Sequence, residues 1–263
     1  MRIEQLDDIR EPYQHVYLSP HMDDAALSCG GRILQQRSHG ERVLVVTLCS
    51  GVPAADTNFS ALAQEFHAIW QLSPQEAIAA RLREEQAALE ILDADHCLAD
   101  MLDAIYRFPE AYNSRESLFN KPHSGDPLFD QVSKLIAALR QRMPDALMYV
   151  PLGVGQHVDH LITYRAARAC AGGRMAFYED FPYVTQPGAF KQRMAELHAA
   201  FQPDTIAIDP YLQAKIAAVH TYPSQLDELF GGADAMEQSV TAYAHAIHPA
   251  GSAYGERVWL PAA

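Results

Sequence analysis

Apolar residues follow two rhythms along this chain. Short continuous runs occur at Val16-Tyr17-Leu18, Val43 to Leu48 (VLVVTL), Ala146 to Val150, Met175 to Tyr178 and Thr205 to Ile208. The Val43 to Leu48 run, unbroken and β-branched, suits a parallel strand covered on both faces. Between them the apolar positions take a helical period. These segments are 24–38 (stopped by Gly40), 61–70, 74–92 (with Pro74 in its first turn), 130–142, 161–170, 212–219 and 234–246. In 130–142 the stripe is Val132, Leu135, Ile136 and Leu139. Alternating strands and helices predict an α/β fold with a mostly parallel sheet and helices on both faces. The longest irregular stretch, 104–129, reads as an active-site loop within a single domain spanning residues 1–263.

In such sheets ligands bind at the carboxyl ends of the strands. Two polar motifs fall there. Pro20-His21-Met22-Asp23-Asp24 follows the first apolar run, and Gly155-Gln156-His157-Val158-Asp159-His160 follows the run ending at Val150. His21 and Asp24 are three apart, as are His157 and His160, so each pair can face one way at a helix start. Together they offer two histidines and a carboxylate to one metal, with further carboxylate and imidazole groups to spare. A catalytic zinc site uses three protein ligands and keeps one position open. Each motif alone has a plainer explanation. Asp23 or Asp24 could cap the helix that follows, and His157 and Asp159 could be solvated residues at another helix start.

Composition narrows the partners. The formal net charge of -13 argues against nucleic acid or an anionic membrane, where binding rests on basic patches. No basic start followed by an apolar run marks a signal peptide, and no stretch is long enough to span a bilayer. The four cysteines, Cys29, Cys49, Cys97 and Cys170, form no C-x-x-C pair. They read as core residues in a reducing cytoplasm. The expected partner is a small molecule, and a homo-oligomer is compatible with the sequence.

P-H-x-D-D after the first strand and H-x-D-H after a later one resemble the PIG-L/LmbE family of metal-dependent de-N-acetylases. The likeness extends to Arg81-x-x-Glu84-x-x-x-Ala88-x-x-x-Leu92 and to Lys215-x-x-Ala218-x-x-x-Tyr222-x-Ser224-Gln225. It also takes in the strings YLSPHMDD, LSCGG, PLGVGQHVDH and YEDFPY. The resemblance implies a Rossmann-like three-layer sandwich and a zinc-dependent hydrolase that removes the N-acetyl group of an amino-sugar (N-acetylglucosamine-type) conjugate. It implies one Zn²⁺ per chain, held by His21, Asp24 and His160, with Fe²⁺ or another divalent metal able to support the same chemistry. Asp23 is then the general base for the attacking water. His157, as imidazolium, stabilises the oxyanion, and Asp159 holds or charges His157. Met22 departs from the family, where many members carry proline.

Arg81 and Asp103 fall near positions that contact sugar hydroxyls in relatives and are the candidate substrate-binding residues. Arg81 could instead pair with Glu84 or Glu85 on its own helix, and Asp103 could be an ordinary loop residue. His67 and Trp70 share a helical face that could wall the pocket. Tyr178, Glu179, Asp180 and Tyr183 follow a strand, which puts them near the mouth. Three other readings use the same letters: an iron oxygenase, a metal-dependent hydratase or lyase on the same fold, and a non-catalytic sugar-binding protein. Strand–helix alternation speaks against the first, Asp23 beside Asp24 against the second, and the intact polar set against the third.

Overall fold

The computed structural model describes residues 1–54, 56–70, 72–170 and 172–262, and of Trp70 its backbone only. The part of the pocket-wall expectation that falls on Trp70 therefore lies outside the described side chains. Among the described residues eight strands form one sheet in the order β1-β4-β3-β2-β5-β6-β8-β7. They are β1 (Arg2–Ile3), β2 (His15–Ser19), β3 (Val43–Thr47), β4 (Asp95–Leu98), β5 (Leu147–Pro151), β6 (Arg174–Tyr178), β7 (Phe201–Ala207) and β8 (Gly255–Pro261). The pairings from β1 through β6 are all parallel. β8 runs antiparallel to both β6 and β7. The sheet is thus mixed, a parallel block closed at one edge by an antiparallel pair.

The helices are α1 (Asp24–Ser38), α2 (Ala61–Trp70), α3 (Pro74–Ile91), α4 (Ala104–Arg107), α5 (Arg115–Leu118), α6 (Leu128–Arg142), α7 (Val158–Ala169), α8 (Ala189–Glu196), α9 (Leu212–Val219), α10 (Pro223–Phe230) and α11 (Ala233–Ala246). Alternation along the strands sends side chains to opposite faces. Val16, Leu18, Leu44, Val46, Met148 and Val150 pack with Val132 and Ile136 of α6 and Ile162 of α7. Tyr17, Val43, Val45 and Tyr149 pack with Ile33 of α1, Leu89 of α3 and Ala218 of α9. Helices therefore cover both faces, as the continuous apolar runs require. Tyr17 and Tyr149 stack with ring centroids 4.2 Å apart. Gln36 satisfies both hydroxyls, each at 2.8 Å.

Several elements differ from the sequence expectation. β1, β4, β8, α8 and α10 are additional. β7 begins four residues before the apolar run at Thr205 because it takes in Pro203 and Asp204. Proline is tolerated there since β7 is the terminal strand of the sheet. α7 begins at Val158, which puts the H-x-D-H motif on its cap and first turn. The 104–129 stretch is not irregular throughout. It holds α4 and α5, and buries Ile105, Tyr106, Tyr112 and Leu118 against Leu62, Ile78 and Met22. Arg107 grips Asp126 with two bonds of 2.7 and 2.9 Å, tying the two ends of the segment together.

Candidate active site

β2 lies between β3 and β5. The chain leaves β2 toward β3 on one side, and the later strands β5 and β6 are laid down on the other. The carboxyl ends of β2 and β5 thus flank the point where strand order reverses, where an α/β sheet opens a crevice. His21, Asp23 and Asp24 follow β2, and His157 and His160 follow β5. Ser19, the last residue of β2, fixes the first turn. Its hydroxyl donates to the His21 carbonyl at 2.8 Å and accepts from the Ala25 N–H at 3.0 Å. Met22 faces away from the crevice and is buried in the cluster with Ile78 and Ile105, so its departure from proline leaves the site unaltered.

Three donor atoms converge in the crevice. His21 Nδ1 lies 3.3 Å from Asp24 Oδ2 and 3.3 Å from His160 Nε2. His160 Nε2 lies 3.4 Å from Asp24 Oδ2. Tetrahedral zinc with bonds of about 2.0–2.1 Å places its donors about 3.3–3.4 Å apart. The triangle fits such an ion closely. The outer partners set the tautomers. His21 Nε2 bonds Asp159 Oδ2 at 3.1 Å, and His160 Nδ1 bonds Asp180 Oδ1 at 2.7 Å. A carboxylate accepts from each of those nitrogens, so in the neutral rings that a metal ion requires, Nδ1 of His21 and Nε2 of His160 would present the lone pairs. Without a metal ion, the Asp159 and Asp24 carboxylates outweigh burial at His21, as Asp24 and Asp180 do at His160, and push both rings' pKa up, so protons occupy the triangle that a metal cation would fill.

Asp180 follows β6 at the mouth of the crevice, and its role is set by contacts with residues distant in sequence. Its second oxygen accepts from the Gly153 and Val154 N–H groups, both at 2.8 Å. It therefore fixes the β5 loop and the His160 ring together. Asp180→Asn is expected to lower zinc affinity about 10–100-fold, as chelator competition would show. An unchanged affinity would remove Asp180 from the site. Its neighbour Glu179 turns away and accepts from Arg257 and Trp259, each at 2.7 Å.

Asp23 behaves unlike a cap. It is the residue before α1 yet makes no side-chain capping bond. Its φ is 142°, in a region that residues other than glycine rarely occupy. Only 6% of it is exposed, and it lines a cavity of about 340 Å³ together with His21, Asp24 and His157. Burial, then the neighbouring Asp24 carboxylate, pushes its pKa up to about 8. A cation on the triad acts in the opposite sense. Asp24 goes the other way. Burial opposes its charge, but His160 and His21 outweigh that and hold it at about 2.

His157 caps α7, and its Nδ1 accepts from the Asp159 N–H at 3.3 Å. Burial, and then the His21 ring, push its pKa well below the ordinary histidine value. Burial thus disfavours the imidazolium that the resemblance implies, and with Nδ1 accepting, the proton of a neutral ring would sit on Nε2. His21, His157 and His160 also bring ring nitrogens within 4.8 Å of one another. The bond that His157 Nδ1 accepts from the Asp159 N–H makes it a poorer ligand than Asp24.

Asp159 favours the charged form of His157 electrostatically, and its hydrogen bonds serve a second ring. Its carboxylate makes no hydrogen bond to the His157 ring. Oδ2 meets His21 Nε2 and the Ala104 N–H at 3.2 Å, and Oδ1 takes Arg107 Nη2 at 2.5 Å. The first turn of α7 points residue 159 away from its cap residue, so Asp159 orients the donor His21. Asp103 caps α4 through Ile105 N at 3.2 Å and sits 3.6 Å from His21 Nε2. Arg81 does not pair with its helix neighbours. Glu84 accepts from the Ser224 N–H at 3.1 Å, and Glu85 accepts from Thr47 and Tyr222, both at 2.6 Å. Arg81 instead reaches the Met22 carbonyl at 3.4 Å and lines the cavity, as does Asp103. Its buried Nε has no partner among the described residues. His67 bonds the Tyr106 hydroxyl at 2.9 Å, and Tyr183 joins the cavity wall.

Converging metal donors beside a strained, buried carboxylate on an open cavity mark a hydrolytic metal centre of the kind found on α/β sheets. The comparisons with known proteins narrow the class. The sequence matches the family described as PIG-L, GlcNAc-PI de-N-acetylase, over residues 16–171, and the chain belongs to that family. A 2'-N-acetylparomamine deacetylase of Streptomyces fradiae is 28% identical over 266 residues, covering 93% of this chain and 88% of that protein. A deacetylase–bog complex from the teicoplanin biosynthesis pathway superposes with a TM-score of 0.78 at 30% identity, covering 93% and 96% of the two chains. The zinc-inhibited form of teicoplanin deacetylase Orf2 gives 0.77 at 29% identity, with the same coverage.

Proposed function

We propose that the chain is a zinc-dependent hydrolase that removes the N-acetyl group from an amino-sugar conjugate. The observation that carries this reading is the His21–Asp24–His160 triangle, with Asp23 beside it on the cavity. The likeness to a 2'-N-acetylparomamine deacetylase and to a deacetylase of the teicoplanin biosynthesis pathway supports the substrate class. One domain over residues 1–263 is part of the proposal, since a single sheet takes strands from both ends of the chain. So is a cytoplasmic setting. No described helix is long and apolar enough to cross a membrane, and the cysteines are free.

His21, Asp24 and His160 would hold the ion, one per chain. When bound it polarises the acyl carbonyl and acidifies water. Asp23 takes the proton of the attacking water. His157 donates a hydrogen bond from Nε2 to the carbonyl oxygen as negative charge gathers there. The carbon–nitrogen bond breaks, the proton passes from Asp23 to the departing nitrogen, and acetate and the free amine result. Arg81 and Asp103, on the cavity wall, are placed to bind sugar hydroxyls. The test is acetate release from a panel of N-acetylglucosamine conjugates by zinc-loaded protein. Release that disappears on chelation and returns with zinc is expected. A panel without any release would count against the amino-sugar reading.

A further inference from the structure

Arg107 stands between the metal donors and the wall of the cavity. Its side chain is 3% exposed, and it binds three acceptors. Nη2 donates to Asp159 Oδ1 at 2.5 Å, Nη1 donates to the Leu102 carbonyl at 2.5 Å, and Nε and Nη2 clasp Asp126. Asp159 is fully buried, and its other oxygen receives His21 Nε2. Asp126 in turn accepts from the Tyr112 hydroxyl at 2.8 Å and the Leu128 N–H at 2.9 Å. The segment between Arg107 and Asp126 supplies Arg115, Leu118 and Phe119 to the cavity wall. Phe119 also sets its ring edge-on to His157, 5.2 Å between centroids.

We propose that Arg107 is a positioning residue that couples the metal donor His21 to the order of the 108–127 cavity wall. The inference rests on the reading of His21 as a ligand. A single planar guanidinium holds both buried carboxylates, so neither can shift without the other. With Asp159 Oδ1 pinned, its Oδ2 faces His21 Nε2, and Nδ1 points into the triangle. Lysine would keep the charge but lose the planar fork that meets all three acceptors. Coupling of this kind is reciprocal. Whatever ion orders His21 must also order the wall, and loosening the wall must weaken the ion.

The experiment uses the full chain without substrate. Zinc affinity is measured by chelator competition for the parent, Arg107→Lys, Asp159→Asn, their double variant and Asp126→Asn, with folding checked by circular dichroism. Arg107→Lys is expected to lose about 10–100-fold in affinity, and the double variant to bind no more weakly than Asp159→Asn alone. Asp126→Asn touches no donor, yet is expected to lose at least about fivefold. In the parent, zinc should slow amide hydrogen exchange across 108–127, and this effect should vanish in Asp126→Asn. A folded Arg107→Lys with parental affinity would overturn the coupling, as would losses that multiply in the double variant. If Arg107→Lys fails to fold, parental affinity and zinc-dependent protection in Asp126→Asn overturn it equally. A parent that binds no zinc would instead sink the metal centre itself.

Discussion

Asp23→Asn is expected to keep zinc and lose turnover by about 10²–10⁴-fold, the usual weight of general acid–base catalysis. The side chain keeps its size and its place on the cavity, and the three donors are untouched, so only proton transfer is removed. A second substitution at this position separates function from backbone. With φ at 142°, Asp23 is held in a conformation that costs on the order of 1–3 kcal/mol. Glycine adopts it freely, although its more flexible unfolded chain offsets part of the gain. Asp23→Gly should therefore be as inactive as Asp23→Asn but melt about 2–4 °C higher than the parent. Both melts should be run without metal, so that ligand linkage does not enter. A glycine variant that melts lower would show that the backbone here is unstrained. An Asp23→Asn enzyme with parental kcat would end the general-base role.

The parts of this molecule that could be read from sequence are those whose signal is local. β2, β3 and β5 are short continuous apolar runs, of a length that suits strands buried on both faces. β8 carries Glu256 and Arg257, which make sense only in the folded sheet. Glu256 takes Lys215 at 2.6 Å and two backbone N–H groups of α1 at 2.8 and 2.7 Å. Arg257 pairs with Glu179. The same division runs through the site. His21, Asp24 and His160 sit at short, fixed spacings in two motifs. Asp180 and Asp126 act on residues 20 and 19 positions away, and no spacing rule relates them. Asp159 favours charge on His157 electrostatically, but its hydrogen bonds go elsewhere for a related reason. Two residues from His157 looks like contact, but a helix start turns residues at that separation to different sides. Arg107 lay in a stretch without apolar period, because that stretch is held by a buried ion pair more than by a stripe.

Which histidine binds the ion is the other question with a large expected effect. His21→Ala, Asp24→Ala and His160→Ala each remove one corner of the triangle. Each should weaken zinc by more than the 10–100-fold expected for changes in the outer partners. His157→Ala should keep parental affinity and lower kcat by about 10²–10³-fold, as loss of one donor to a developing oxyanion does. The contrast follows from hydrogen bonding. His160 gives its Nδ1 side to Asp180 and so presents Nε2 to the centre, whereas His157 uses Nδ1 to accept from a backbone N–H. Its remaining nitrogen therefore carries a proton and can donate but not ligate. Loss of zinc in His157→Ala with retention in His160→Ala would exchange the two assignments. It would also require the Asp159 N–H bond to His157 to break when the ion binds, which an Nδ1 proton resonance from His157 in the loaded protein would reveal.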